Sequence, residues 1–357
     1  RIEFYAAIKT AEPFLPAGTV IAREQTYVHT FYKKEATAQQ PATSKEEGNL
    51  VAFSGPDFKA TFDKQSGLLT SYLYKKHEYI LNGQGPRPFF WRAPTDNDYG
   101  ANLPVRLKAW KEASYQEPKA ESFQVTPGSN ATTIKVTYRF PQTDARWDIT
   151  YKIYASGVIK VDNRFVAEGD QAPMITRVGL RMQLPESFTD LTYYGRGPKE
   201  NYRDRRTSQF IGEYAIPVKD MYEPYVRPQE NNHRTDIYWC ALTDKTQRGL
   251  LLIADRTFEL NASNYPLESM DSGDTIDNGA PRTEKTHHRH LTDPLPEKMV
   301  DLFIDYRMMG VGGDDSWGAT AHEPYLIRPG KENAIEYGFS LVPFDKKEDY
   351  KYLIRQY

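Results

Sequence analysis

Apolar and polar residues trade places step by step along most of this chain. In "DFKATFD" (57–63) the alternation is strict, and "GLLTSYLY" (67–74) follows across a "KQSG" turn. A period of two places one set of side chains on a buried face, so this stretch predicts a hairpin. "TTIKVTYRF" (132–140) alternates in the same way, and "WDITYKIY" and "VIKVDNRFV" flank a tight "ASG" turn, a second hairpin. Further strand patterns follow at 176–184, 191–195, 237–242, 249–255, 300–306 and 334–342. Many short strands divided by turn residues predict an all-β sandwich. Helical periodicity is weak, and "VRLKAWKEASY" (105–115) is the best helix candidate.

Residues 1–34 hold two β-like runs, "RIEFYAAI" and "GTVIAREQTYV". The polar, aperiodic stretch that follows predicts a linker over 35–47, with a main domain over 48–357. The first residues already read as strand, which leads us to expect a piece of a longer chain. Net charge is −2 with both signs interspersed, so no basic stripe suggests nucleic acid and no polybasic cluster suggests a membrane surface. The single cysteine, Cys240, excludes an internal disulfide framework and reads as a small buried hydrophobe. Aromatics reach 13%, which suits a β-rich core and also offers flat faces for sugar rings.

The predicted long loops, 83–104, 195–236 and 264–296, hold the least generic residues. Long ordered loops tend to be functional. A Gly-x-Ser-x-Gly elbow is absent, and "GRGPKEN" lacks the ending of a phosphate loop. His288 and His290 would share one face of a strand, but no motif marks a third zinc ligand. Carboxylate pairs for glycoside hydrolysis have candidates in Asp96 with Asp98, Asp314 with Asp315, and Glu200 with Asp204. Spacing alone does not bring any of them face to face, and each also reads as a loop-ordering group. Trp317 is the odd residue in "GVGGDDSWG" (310–318), a large ring in a small polar loop. It requires either a cover or a ligand to stack on.

"FWRAPTDNDYG", "YGRGPKENYRDR", "MYEPYVRPQENNHRTDIYW", "HHRHL" and "GVGGDDSWG" occur in this order, followed by "YLIRPGKENAIEYGFSLVP". Together they resemble the C-terminal small-chain domain of family-2 glycoside hydrolase β-galactosidases, over residues 48–345. The resemblance implies a supersandwich similar to galactose mutarotases, preceded in residues 1–34 by the end of an immunoglobulin-like β-sandwich. It implies a retaining enzyme whose catalytic glutamates sit in an upstream TIM barrel, so no catalytic residue is assigned to this chain, which alone is expected to be inert. Implied partners are a β-galactoside and the barrel and other N-terminal domains of the same enzyme, with a homo-oligomer at full length. No cofactor is expected in this segment; the magnesium and sodium ions of the whole enzyme would bind mainly elsewhere. The compartment, cytoplasm or periplasm, stays open.

By the same resemblance Trp317 stacks on the aglycone side of the substrate, Asp314 and Asp315 cap the turn and orient its ring, and Trp317 and Asp315 are the candidate substrate-binding residues. Gly100 hinges a loop that Arg92, Asp96 and Asn97 brace. Arg196, Glu200, Asn201, Asp204 and Arg205 read as a buried polar brace, and so do His288, Arg289 and His290. The 264–286 stretch and the tail after 345 depart from the expected lengths. Two other readings compete. One is a stand-alone galactoside-binding module. The other is a mutarotase-like aldose epimerase, which needs a His acid and a Glu base converging on a concave sheet.

Overall fold

The computed structural model describes residues 1–28, 39–169, 173–272, 290–315, 317–345 and 349–356. Two compact units divide at residue 36. The first holds an antiparallel pair, β1 (Ile2–Ala7) and β2 (Val20–Thr26).

In the second unit, β3 (Thr43–Glu47), β4 (Leu50–Ser54), β5 (Phe58–Asp63), β6 (Leu69–Tyr74) and β7 (His77–Glu78) form a five-stranded meander. The predicted hairpin is β5–β6, and β5 alternates as read, with Phe58, Ala60 and Phe62 inward. The predicted linker needs correcting at its end, because Thr43–Glu47 is a strand. Its residues are all exposed, so it pairs through its backbone with no apolar face to announce it. Charged side chains suit such an edge, since they discourage pairing with another chain.

The larger sheet has twelve strands: β8 (Arg87–Phe89), β9 (Ala120–Thr126), β10 (Thr132–Phe140), β11 (Ala145–Ile153), β12 (Ile159–Ala167), β13 (Arg177–Pro185), β14 (Asp190–Gly197), β15 (Phe210–Pro217), β16 (Arg234–Thr243), β17 (Gly249–Ser263), β18 (Met299–Met308) and β19 (Ile335–Phe344). Short helices α1 (Asp96–Gly100), α2 (Leu103–Arg106) and α3 (Lys108–Tyr115) follow β8, and α4 (Tyr350–Gln356) closes the chain. The second predicted hairpin is β11–β12. The helix expected over 105–115 is present but broken at Leu107. Two predicted loops also carry structure: β8, α1 and the start of α2 lie in 83–104, and β15 lies in 195–236, paired with β14.

Long β17 makes the sheet branch. Its first half, Gly249–Ala254, pairs with β19, and its second half, Glu259–Ser263, pairs with β18. Asp255 and Arg256 between them are exposed, where the strand changes partners. The all-β supersandwich is thus one curled twelve-stranded sheet packed on a smaller one. Phe62 of β5 meets Tyr151 of β11 at 5.0 Å between ring centroids. Phe90, Trp110, Trp147 and Phe165 cluster nearby, with Phe90 4.9 Å from Trp110 and 5.5 Å from Trp147. Each such ring contributes roughly 1.5–3 kcal/mol on burial. Cys240 is buried as expected, and burial pushes its thiol pKa up.

Candidate functional site

The rim of the site is formed by residues 309–315 and 317–319, and its backbone is held from two separate segments. Behind it lies Arg92, 1% exposed. Its Nε and Nη2 donate to Asp98 at 2.9 and 2.8 Å, and its Nη1 and Nη2 donate to the carbonyls of Met309 and Gly310 at 2.6 and 3.1 Å. Asp98 sits in α1 because Thr95 caps that helix: Asp98 N donates to Thr95 Oγ1, and Thr95 N donates back to Asp98 Oδ2. This reciprocal cap fixes the carboxylate that fixes the arginine. From a second segment, Asp204 accepts from the N–H groups of Val311 and Gly312 at 3.1 and 2.9 Å. Asn97 of α1 donates to the carbonyl of Asp315 at 3.1 Å.

At Gly100 the α1 backbone touches the rim directly. A Cβ there would lie 2.1 Å from the Trp317 carbonyl oxygen, so only glycine permits the approach. Asp315 then ties the loop tip, accepting from the N–H groups of Trp317, Gly318 and Ala319 at 2.9, 3.1 and 2.9 Å. Those N–H donors hold its carboxyl below the usual carboxylate range. Trp317 itself is 81% exposed, whereas Trp91, Trp110, Trp147 and Trp239 are buried. Beside it, His322 Nε2 lies 2.5 Å from Asp314 Oδ2, and this carboxylate raises the imidazole pKa. Asp96 pairs outward with Arg227 at 2.8 Å, and that guanidinium lies 4.6 Å over the Tyr99 ring.

The predicted brace divides in two. Arg92, Asp96, Asn97, Gly100, Asp204 and Asp315 gather at or next to the rim. Arg196, Glu200 and Asn201 instead tie the 196–236 region to itself. Arg196 donates to Asp236 at 2.8 Å. Glu200 accepts from Arg205 at 2.6 Å, from Asn232 N at 2.8 Å, and from the Tyr225 hydroxyl. Asn201, fully buried, accepts from Thr235 Oγ1 at 2.7 Å. His288 and Arg289 lie outside the described residues. His290 does not join a brace: it is exposed in a turn in which its N–H donates to Asp293 at 3.0 Å.

Sequence reasoning missed a second polar cluster, on the inner face of β13, β17 and β18. Arg177 lies 3.2 Å from Asp305 and 3.3 Å from Glu230, and its Nη2 donates to Asn261 at 3.0 Å. His233 lies 3.0 Å from Glu259, which also accepts from Arg203 at 2.6 Å and from Met308 N at 2.7 Å. These donors hold the Glu259 carboxyl below its ordinary pKa despite burial. Asp305 behaves in the opposite way. Among the described residues neither of its oxygens has an aligned hydrogen-bond donor, and burial pushes its pKa up to about 7. A signal existed: Arg177, Arg181 and Gln183 in β13, and Asp301, Asp305 and Arg307 in β18, recur at even spacing among apolar residues. A histidine and carboxylates do converge here, but all are at most 4% exposed. A substrate has no access to them in this arrangement, and Glu259 is held as an ion-pair partner rather than as a base. Among the described residues no group of three or more His, Cys, Asp or Glu is placed to hold a metal ion.

A family model described as "Beta galactosidase small chain" matches residues 54–341. A β-galactosidase of Priestia megaterium is 33% identical over 291 residues, covering 81% of this chain and 26% of the relative. One of Streptococcus thermophilus is 27% identical over 348 residues, covering 96% of this chain and 32% of the relative. The chain thus spans about a quarter to a third of the length of these relatives. Among solved structures, a galactose 1-epimerase from Lactobacillus acidophilus superposes with a TM-score of 0.46 at 6% identity, covering 87% of this chain and 99% of the other.

Proposed function

Because the chain belongs to the β-galactosidase small-chain family, we propose that it is the C-terminal part of an enzyme that hydrolyses terminal non-reducing β-D-galactose residues. In this reading it completes the mouth of an active site whose catalytic glutamates lie outside the chain, and Trp317 stacks on the aglycone. The observation that carries it is the contrast between ring and loop. An 81% exposed indole stands on a backbone tied by Arg92, Asp204, Asn97 and Asp315. A large aromatic face carried on a tethered backbone offers a flat, accessible surface to a sugar ring, with only two side-chain torsions to order.

Retaining chemistry through a covalent galactosyl intermediate belongs to the absent domain. The chain's own contribution is to position the leaving group. β1 and β2 fit the end of an immunoglobulin-like domain: Ile2, Phe4, Val20 and Ile21 are exposed within this chain, as inner strands of a larger sandwich are when its other strands are missing. The enclosed His233–Glu259 pair speaks against the epimerase reading.

The test is hydrolysis of a chromogenic β-galactoside by this chain alone and by this chain mixed with the missing N-terminal portion. Activity only on mixing is expected. Activity of the chain alone overturns the assignment.

A further inference from the structure

We propose that the cleft between β8, β13 and the turn at Pro266–Glu268 is a second carbohydrate site, separate from the Trp317 rim, that takes one neutral hexopyranose. The cleft has a volume of about 390 Å³, and its lining includes Gln84, Arg87, Tyr115, Gln183, Glu297 and Met299. That volume lies within the range of roughly 300–1,000 Å³ found for small-molecule sites. None of the residues that hold the Trp317 loop lines it, so the proposal does not depend on the role given to that tryptophan.

Unmet hydrogen bonds point to a ligand. Arg87 Nε and the Tyr115 hydroxyl are both buried, and neither has a partner among the described residues. Folded chains pair nearly all such atoms, yet two that line the same cleft are left open. Both groups are fixed in place. Arg87 Nη2 donates to the Ser114 carbonyl and, at 3.3 Å, to that of Gln116, at the C-terminal end of α3. The Tyr115 ring packs edge-on against Phe89 at 5.5 Å. The side chains of Gln84, Gln183 and Glu297 make no hydrogen bond among the described residues.

The charge balance selects the class of ligand. Arg181, which faces Arg87 across the β8–β13 pairing, is fully engaged. It donates to Asp301 at 2.7 and 2.8 Å and to Glu268 at 2.5 and 2.8 Å. Two arginines thus stand against two carboxylates, with Glu297 added at the mouth. An anion meets Glu268 and Glu297, and a cation meets Arg87. A neutral polyol meets donors in Arg87 and Tyr115, groups of both kinds in the two glutamine amides, and an acceptor in Glu297.

The experiment titrates D-galactose, D-glucose and D-mannose into the 357-residue chain, followed by saturation-transfer NMR and calorimetry. Saturable binding of at least one hexose with a Kd of about 1–10 mM is expected, as befits a small polar ligand. Losing one hydrogen bond weakens it about fivefold in Tyr115→Phe and about tenfold in Gln183→Ala. Trp317→Ala leaves it unchanged. Tyr115→Phe does not lower the Tm, because the buried hydroxyl it removes has no partner among the described residues. The proposal is overturned if no hexose binds, if Trp317→Ala abolishes binding, or if binding survives both cleft variants intact.

Discussion

Removing Arg92 tests whether the Trp317 loop is held from behind. Arg92→Ala strands Asp98, 4% exposed, as an unpaired buried charge, and it leaves the carbonyls of Met309 and Gly310 without their donor. Breaking a buried ion pair by deleting one partner costs roughly 3–5 kcal/mol. Two lost carbonyl bonds add to this, though not independently, so we expect about 4–5 kcal/mol. That is a large share of the roughly 5–15 kcal/mol by which domains are stable, and it lowers the Tm by about 6–7 °C for a unit of this size. Arg92→Met with Asp98→Asn removes both charges while keeping volume and the Thr95 cap. The double variant is therefore more stable than Arg92→Ala, by about 2–3 kcal/mol. Urea unfolding followed by tryptophan fluorescence reads both. A cost below about 1 kcal/mol for Arg92→Ala, or a double variant no better than the single one, would falsify the account of a buried pair holding the loop.

Three further outcomes follow from the same geometry. Trp317→Ala changes stability by less than about 0.5 kcal/mol, because the ring is exposed, while KM for an aryl galactoside rises about fivefold in the reassembled enzyme; an unchanged KM refutes the stacking role. Gly100→Ala drives a methyl into the Trp317 carbonyl, 2.1 Å away. It raises KM with Trp317 intact, and hydrogen exchange that stays unchanged at residues 311–319 rules this out. Asp305 titrates at about 7 in the fold against about 4 unfolded. The folded chain therefore holds that proton more tightly, and stability is full below about pH 4 and falls as pH rises through about 7, by up to roughly 4 kcal/mol. Asp305→Asn flattens that decline, and identical Tm–pH slopes for the variant and the parent chain between pH 5 and 8 contradict it.

How much of this was legible depended on whether a residue's role is local. The β5–β6 and β11–β12 hairpins were readable because alternation and the turn sit within one short stretch. β3 was not, because an exposed edge strand needs no apolar side chains and so leaves no alternation. The same limit governs the site. Trp317 stood out because a large ring in a Gly-Asp loop is anomalous by itself. The contacts that hold it join residues far apart: Arg92 reaches Met309, and Asp204 reaches Val311.

The inner polar face of β13 and β18 was the harder case, because its signal was present and ambiguous. Charges at even spacing in an apolar strand mean either a solvated face or a buried network, and both produce the same alternation. Register decides between them. Gly179 pairs with Asp305, and a Cβ on that glycine would lie 1.7 Å from the carboxylate oxygen. The space beside Asp305 exists because its neighbour has no side chain. Gly179 in "TRVGLRMQL" was therefore the informative residue. A glycine inside a strand weakens it, and here it marks the place where a buried carboxylate needs room.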